Sequence, residues 1–99
     1  MGEAHNNAVQ SVREFIGLVH GHAFVLHQGT RLHGSAGISD ICFVARDAAG
    51  EWRFAWLEVK VGRDKLSPAQ VAFRAVMELA GIPVIVGTAG DAAEFLGYA

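Results

Sequence analysis

The sequence predicts an α/β fold in the order α-β-β-β-α-β-α, a mixed β-sheet flanked by helices, on three observations. Apolar residues recur at helical spacing near the N-terminus, and two β-rich runs flank a five-residue turn in the middle. A serine-proline start then opens a second helical pattern that leads to a last short apolar run. The 99 residues, 52% of them apolar, carry enough apolar surface for one core, so residues 1–99 are read as one domain.

Each element has its own signal. From Asn6 to His20, the positions Val9, Val12, Ile16 and Val19, with Ala8 and Phe15 beside them, mark an amphipathic helix that stops at Gly21. Ala23 to His27 is short and β-rich, and the glycine-bearing stretch from Gln28 to Gly37 reads as an irregular loop. Asp40–Arg46 and Trp52–Lys60 form a hairpin around Asp47-Ala48-Ala49-Gly50-Glu51. In the second helix Ser67 is the N-cap, Pro68 the first helical residue and Gln70 the N3 partner of a capping box. The apolar positions Ala72, Phe73, Val76, Leu79 and Ala80 follow that start, and Gly81 stops the helix with Pro83 beyond it. Pro83–Gly87 reads as a buried strand, and Asp91–Tyr98 as a closing helix capped by Asp91.

A formal net charge of −2 does not suit a protein that grips nucleic acid by bulk charge, so any such contact must be local. The basic residues do group, with Arg31 near the glycines, then Lys60, Arg63 and Lys65, then Arg74. No apolar run is long enough to span a bilayer and no signal peptide opens the chain, so no membrane partner and an intracellular, cytoplasmic location are expected. The lone Cys42 reads as a small buried thiol. His20-Gly21-His22 lacks the companions of a zinc site, and Gly34 and Gly37 open no strand-to-helix dinucleotide turn. Those glycines are instead expected to let backbone approach a phosphodiester.

The hairpin makes a geometric prediction. Centring its turn on Ala49 places Asp40 opposite Glu58, and directly opposed side chains have Cβ atoms about 4.5–5.5 Å apart. Facing like charges destabilise a sheet, so the two acids suggest a cation between them, and oxygen ligands favour Mg²⁺ or Mn²⁺. Side chains alternate along a strand, which puts Phe54, Trp56, Glu58 and Lys60 on one face. There the Lys60 ammonium is in place to orient a water and offset phosphate charge.

Gly37-Ile38-Ser39-Asp40, Glu58-Val59-Lys60 and Leu66-Ser67-Pro68-Ala69-Gln70 together resemble the PD-(D/E)XK nuclease superfamily, in particular its VRR-NUC branch of stand-alone, phage-type members. The resemblance covers most of the chain and implies that fold core. It also implies that Asp40, Glu58 and the carbonyl of Val59 hold Mg²⁺ or Mn²⁺ and that Lys60 positions the attacking water. Ser39 stands where the superfamily has proline, a residue that shapes backbone and carries no chemistry. Family members carry a further glutamate on the first helix, which Glu3 matches by its place, with Glu14 as rival. Gln70 matches a supporting glutamine of the site and equally fits the capping box; Arg74 reads as an exposed helix arginine.

The function implied is a metal-dependent DNA endonuclease acting on branched DNA such as a Holliday junction, working as a homodimer, and encoded by a phage within a bacterial host. Apolar surface for pairing is expected from Phe95-Leu96-Gly97-Tyr98 or from the first helix. The rival reading is a non-catalytic nucleic-acid-binding or assembly module that keeps the nuclease fold.

Overall fold

The computed structural model describes residues 2–26 and 37–99. His27, at the end of the first expected strand, and the expected loop up to Gly37, with Arg31 and Gly34, lie outside the described residues. The elements follow the expected order: α1 Glu3–Leu18, β1 His22–Val25, β2 Ile41–Arg46, β3 Trp52–Val59, α2 Pro68–Leu79, β4 Val84–Gly87 and α3 Ala89–Leu96. They form a mixed α/β fold with one four-stranded sheet in the order β1-β2-β3-β4. The first two pairings are antiparallel and the last is parallel, with α2 as the crossover that a parallel pair requires.

The hairpin is fixed by its turn. The Asp47 carboxylate accepts N–H bonds from Ala49 at 3.0 Å and Glu51 at 2.9 Å, and Gly50 takes the left-handed position at φ 84°. The resulting pairs, Ile41 with Leu57 and Cys42 with Trp56, are those of a turn centred on Ala49. At the end of α1 the N–H of Gly21 reaches Ile16 O at 2.8 Å and that of His20 reaches Gly17 O at 3.0 Å, a Schellman motif. Its left-handed position is held by His20 at φ 59°. Gly21 follows because a Cβ there would meet Val44 O at 2.6 Å and Ala45 Cβ at 2.7 Å, so only glycine lets the chain turn directly into β1.

One face of the sheet makes the core. Val12 and Ile16 of α1 and Ala92 and Leu96 of α3 close over Ile41, Phe43, Ala45, Ala55, Leu57 and Val59. The last helix starts at Ala89 rather than Asp91: Thr88 is its N-cap, and Asp91 is the N3 residue whose Oδ2 accepts the Thr88 N–H at 2.9 Å. Phe95 packs edge-on to Phe43, and the Tyr98 hydroxyl donates to Arg46 O at 2.7 Å. The C-terminal residues expected to offer an interface are thus largely committed to the fold.

The opposite face is only partly covered. Phe24 and Phe54 are exposed there, and α2 reaches it where Phe73 packs edge-on to Trp56, ring centroids 5.3 Å apart. No residue of α2 is buried. Of its apolar positions Ala72, Phe73, Val76, Leu79 and Ala80, Phe73 alone is half-buried and the others are exposed, Leu79 at 89%. The apolar arc of a helix states which side is greasy, but the contacts at its ends decide how much of that side meets the sheet. Here Gly37 lies close against the start of α2, where a Cβ would come within 3.0 Å of the Gln70 nitrogen, and Phe73 is the side chain that meets Trp56.

Candidate active site

The chain leaves the β2 ladder at Asp40, and the way it leaves builds the site. In an antiparallel ladder the N–H of Val59 would meet a carbonyl of the neighbouring strand. Beyond Ile41 that strand has ended, and the Oδ2 of Asp40 takes the bond instead, at 3.0 Å. The Asp40 backbone carbonyl turns the other way, to the N–H of Leu26 at 2.8 Å, which ties the end of β1 to the same residue. Asp40 is 6% exposed and Glu58 3%. Two acids from adjacent strands are therefore buried at one end of the sheet.

Along β3 the face shared by Phe54, Trp56, Glu58 and Lys60 closes progressively, from an exposed Phe54 through a half-buried Trp56 to a buried Glu58. Lys60 is half-buried, and its backbone N–H donates to Gly87 O at 3.0 Å, so β4 holds the strand straight up to the lysine. In a strand the N–H and C=O of one residue point to the same neighbour. The Val59 carbonyl therefore opens toward the side where its N–H meets Asp40.

The first helix contributes a residue that sequence reasoning passed over. His5 places Nε2 3.6 Å from Asp40 Oδ2, with its side chain 11% exposed. Neither ring nitrogen has a hydrogen-bond partner among the described residues, and the hydroxyl of the buried Ser39 likewise has none. A signal for His5 was present: at intervals of four, three and four residues, His5, Val9, Val12 and Ile16 form one stripe, the stripe that α1 buries. Glu3 heads α1 but is exposed, and at roughly 100° per residue it lies about 180° around the helix from Val12. Glu14, about 160° from Val12 by the same rotation, is exposed as well and accepts from Gln10 Nε2 at 3.3 Å. The side chain that α1 sends to Asp40 is His5, not the expected glutamate.

A cleft of about 490 Å³ opens beside His5, lined by Gly2, Ala4, Val61, Gly62 and Asp64. The turn after β3 that forms its far wall also carries Arg63 and Lys65, both exposed. Gln70 stands with the capping box: its Oε1 accepts the Ser67 N–H at 2.8 Å while its own N–H donates to Ser67 Oγ at 3.2 Å. Arg74 pairs with Glu78 one turn on, at 3.2 Å. On the open face burial pushes the Cys42 thiol pKa up, which keeps it protonated and unreactive.

Among the described residues no group of three or more His, Cys, Asp or Glu side chains is arranged to hold a metal ion. A cation at this end of the sheet would rest on the two carboxylates together with backbone and water, the kind of sphere that Mg²⁺ accepts. The donor chemistry fits: two buried acids, a carbonyl directed between the strands, and a lysine in phase. Among the described residues no helix is long and apolar enough to cross a membrane. No family model matches the chain, and no characterised protein or solved structure is detectably similar to it.

Proposed function

We propose that this chain is a metal-dependent phosphodiesterase that cuts DNA, on a core of the PD-(D/E)XK kind. The observation that carries the reading is the burial of Asp40 and Glu58 together at the end of an otherwise apolar sheet, with Lys60 next in phase. A Mg²⁺ or Mn²⁺ ion on the Asp40 and Glu58 carboxylates and the Val59 carbonyl would supply Lewis-acid polarisation of the scissile phosphate and an acidified water.

The rest of the work falls to the chain. Asp40 is locked in one orientation by the Val59 N–H, so its free oxygen lone pairs are aimed before substrate arrives. Lys60 orients the attacking water and offsets charge on the phosphate. Arg63 and Lys65, exposed on the turn that walls the cleft, hold the flanking phosphates, a local basic footprint on a chain of net charge −2. A panel of single-stranded, duplex, flap and four-way DNA with Mg²⁺ and Mn²⁺ tests this. Metal-dependent cutting that prefers the four-way junction is expected, and no cutting of any member defeats the reading.

Resolving a junction needs two cuts related by two-fold symmetry, so the proposed working unit is a homodimer. The outer face of α2 suits a second copy. Ala72, Ala75, Val76 and Leu79 form an exposed apolar stripe at helical spacing, with small residues that let helices approach. Placed antiparallel about a two-fold axis at Val76, the stripe of one copy meets the same stripe of the other, apolar residue against apolar residue. Sedimentation equilibrium at micromolar concentration is expected to show a dimer that Leu79→Glu converts to monomer; a monomeric wild type defeats the assignment.

A further inference from the structure

We propose that the open face of the sheet is a stacking platform for unpaired bases of the DNA, with Phe24, Trp52 and Phe54 as its rings and Arg46 as a phosphate contact. The inference rests on the function proposed above and adds a surface and a substrate class to it, strands whose bases are unpaired beside the cut.

The case begins with the shape of the face. Alternation places on it His22 and Phe24 of β1, Cys42 and Val44 of β2, and Trp52, Phe54 and Trp56 of β3. The register sets His22 in a row with Val44 and Phe54, and Phe24 in a row with Cys42 and Trp56. Small side chains of the middle strand thus lie between larger ones on strands about 10 Å apart. The result is a groove along β2, with a cleft of about 440 Å³ lined by His22, Val44, Trp52, Arg53 and Phe54. Phe24 is 58% exposed, Trp52 54% and Phe54 39%. Single apolar side chains scattered over a surface are ordinary, but aromatic rings open together on one face mark a binding site.

Charge selects the partner. The helices α1 and α3, which cover the other face, expose Glu3, Glu14, Asp91 and Glu94 against Arg13. The open face exposes Arg46 beside the rings and ends at the half-buried Lys60, while its acid, Glu58, is buried. On a chain of net charge −2, positive charge thus lies on the side of the rings. A second copy would set one positive face against another, whereas a single strand of nucleic acid brings both phosphates and flat rings. Arg46 is held ready for it. Its guanidinium carbon lies 4.8 Å from the centroid of the Trp52 ring, and Nη1 donates to Gly50 O at 2.8 Å. A guanidinium has further N–H donors, which are free to meet a phosphate.

The groove leads to the proposed cutting site. Phe54 and Glu58 share one face of β3 and stand about 13 Å apart along the strand. At about 3.4 Å for each stacked nucleotide, a base on Phe54 lies within about four nucleotides of the cut. Bases inside a duplex have both faces covered by their neighbours, whereas a base in a flap or at a branch point has a face to offer a ring.

The test is binding without cutting, with chelator present and a dT oligomer of about 12 nucleotides as the probe, a length within the span of single-strand sites. Anisotropy of the labelled oligomer is expected to show tighter binding than to a duplex of the same length, with tryptophan emission quenched. Phe24→Leu and Phe54→Leu keep an apolar side chain and remove the ring. Each is expected to weaken single-strand binding by about 5- to 150-fold, the worth of one stacked base, and to leave duplex binding unchanged. Phe54→Trp should bind as the wild type does, and Arg46→Gln should lower the salt slope by about one. Single-strand binding that neither leucine variant weakens, or a wild type that binds no oligomer, overturns the platform. Sedimentation in which Phe54→Glu turns a dimer into a monomer assigns the face to a second copy and overturns it as well. Cutting is read separately, with Mn²⁺ on the DNA panel. Ring-dependent binding by a chain that cuts nothing keeps the platform and overturns the nuclease, and cutting with ring-independent binding does the reverse.

Discussion

Asp40 has two tasks that two substitutions can separate. Its Oδ2 replaces the missing strand as acceptor for the N–H of Val59, a residue with no exposed surface. Asp40→Ala removes that acceptor and leaves a buried donor unsatisfied, at about 1–3 kcal/mol. For a domain of this size about 2 kcal/mol lowers the melting temperature by about 8–16 °C. Asp40→Asn keeps a carbonyl oxygen at the same place, and the loss is that between a charged and a neutral acceptor, about 1 kcal/mol, partly offset by relief of repulsion from Glu58. The expected order in calorimetric or circular dichroism melts is therefore wild type close to Asp40→Asn, with Asp40→Ala well below. Both variants should lose DNA cleavage. An alanine variant that melts with the wild type, or an asparagine variant that melts as low as the alanine variant, refutes the view that this carboxylate closes the β-ladder.

Other outcomes follow from the same kind of reasoning. His20→Gly should raise stability by about 1 kcal/mol, because the left-handed position that ends α1 costs a residue with a Cβ about that much; an unchanged thermal midpoint would contradict it. Gln70→Glu should keep the midpoint, since the capping box accepts either side chain, whereas Gln70→Ala should lower stability by about 1 kcal/mol. Cleavage unchanged in Gln70→Glu would remove Gln70 from the site. The N–H of Glu51, then that of Ala49 and the Arg53 guanidinium, hold the Asp47 carboxyl below the usual carboxylate range. A depressed folded-state value means that this stabilisation is complete above the unfolded value and is lost as the pH falls through the folded one. Melts against pH should show wild type and Asp47→Ala converging below about pH 4.

What could be read from the chain, and what could not, has physical causes. The hairpin register was legible because a turn with an acid at its start and a glycine near its end fixes which residues oppose, and the pairing of Ile41 with Leu57 follows from it. The second helix was legible at its start, where Ser67, Pro68 and Gln70 act through bonds local to one turn. Its orientation was not, because Val76 and Leu79 look like core residues in a helical pattern and yet face outward. Tertiary contacts at Gly37 and Trp56 set that orientation, and they depend on residues distant in sequence. The two buried acids stood out in the sequence because they interrupt apolar strands. His5 was missed because a polar residue in the polar first turn of a helix interrupts nothing, and only its phase with Val12 and Ile16 marks it.

The account stands on Asp40, Glu58 and Lys60 acting as one metal-dependent cutting site, and single-turnover cleavage of a labelled four-way DNA junction measures this most directly. Wild type, Glu58→Gln and Lys60→Ala are compared with Mn²⁺ and with chelator, while Mn²⁺ binding is titrated in parallel. The wild type should cut only with metal. Glu58→Gln should lose both cutting and tight metal binding, and Lys60→Ala should bind Mn²⁺ normally while its rate falls by about 10²–10³-fold, the scale of losing one charge-stabilising group. Cutting by Glu58→Gln at the wild-type rate, or cutting by wild type in the presence of chelator, would contradict the assignment of this end of the sheet as the active site.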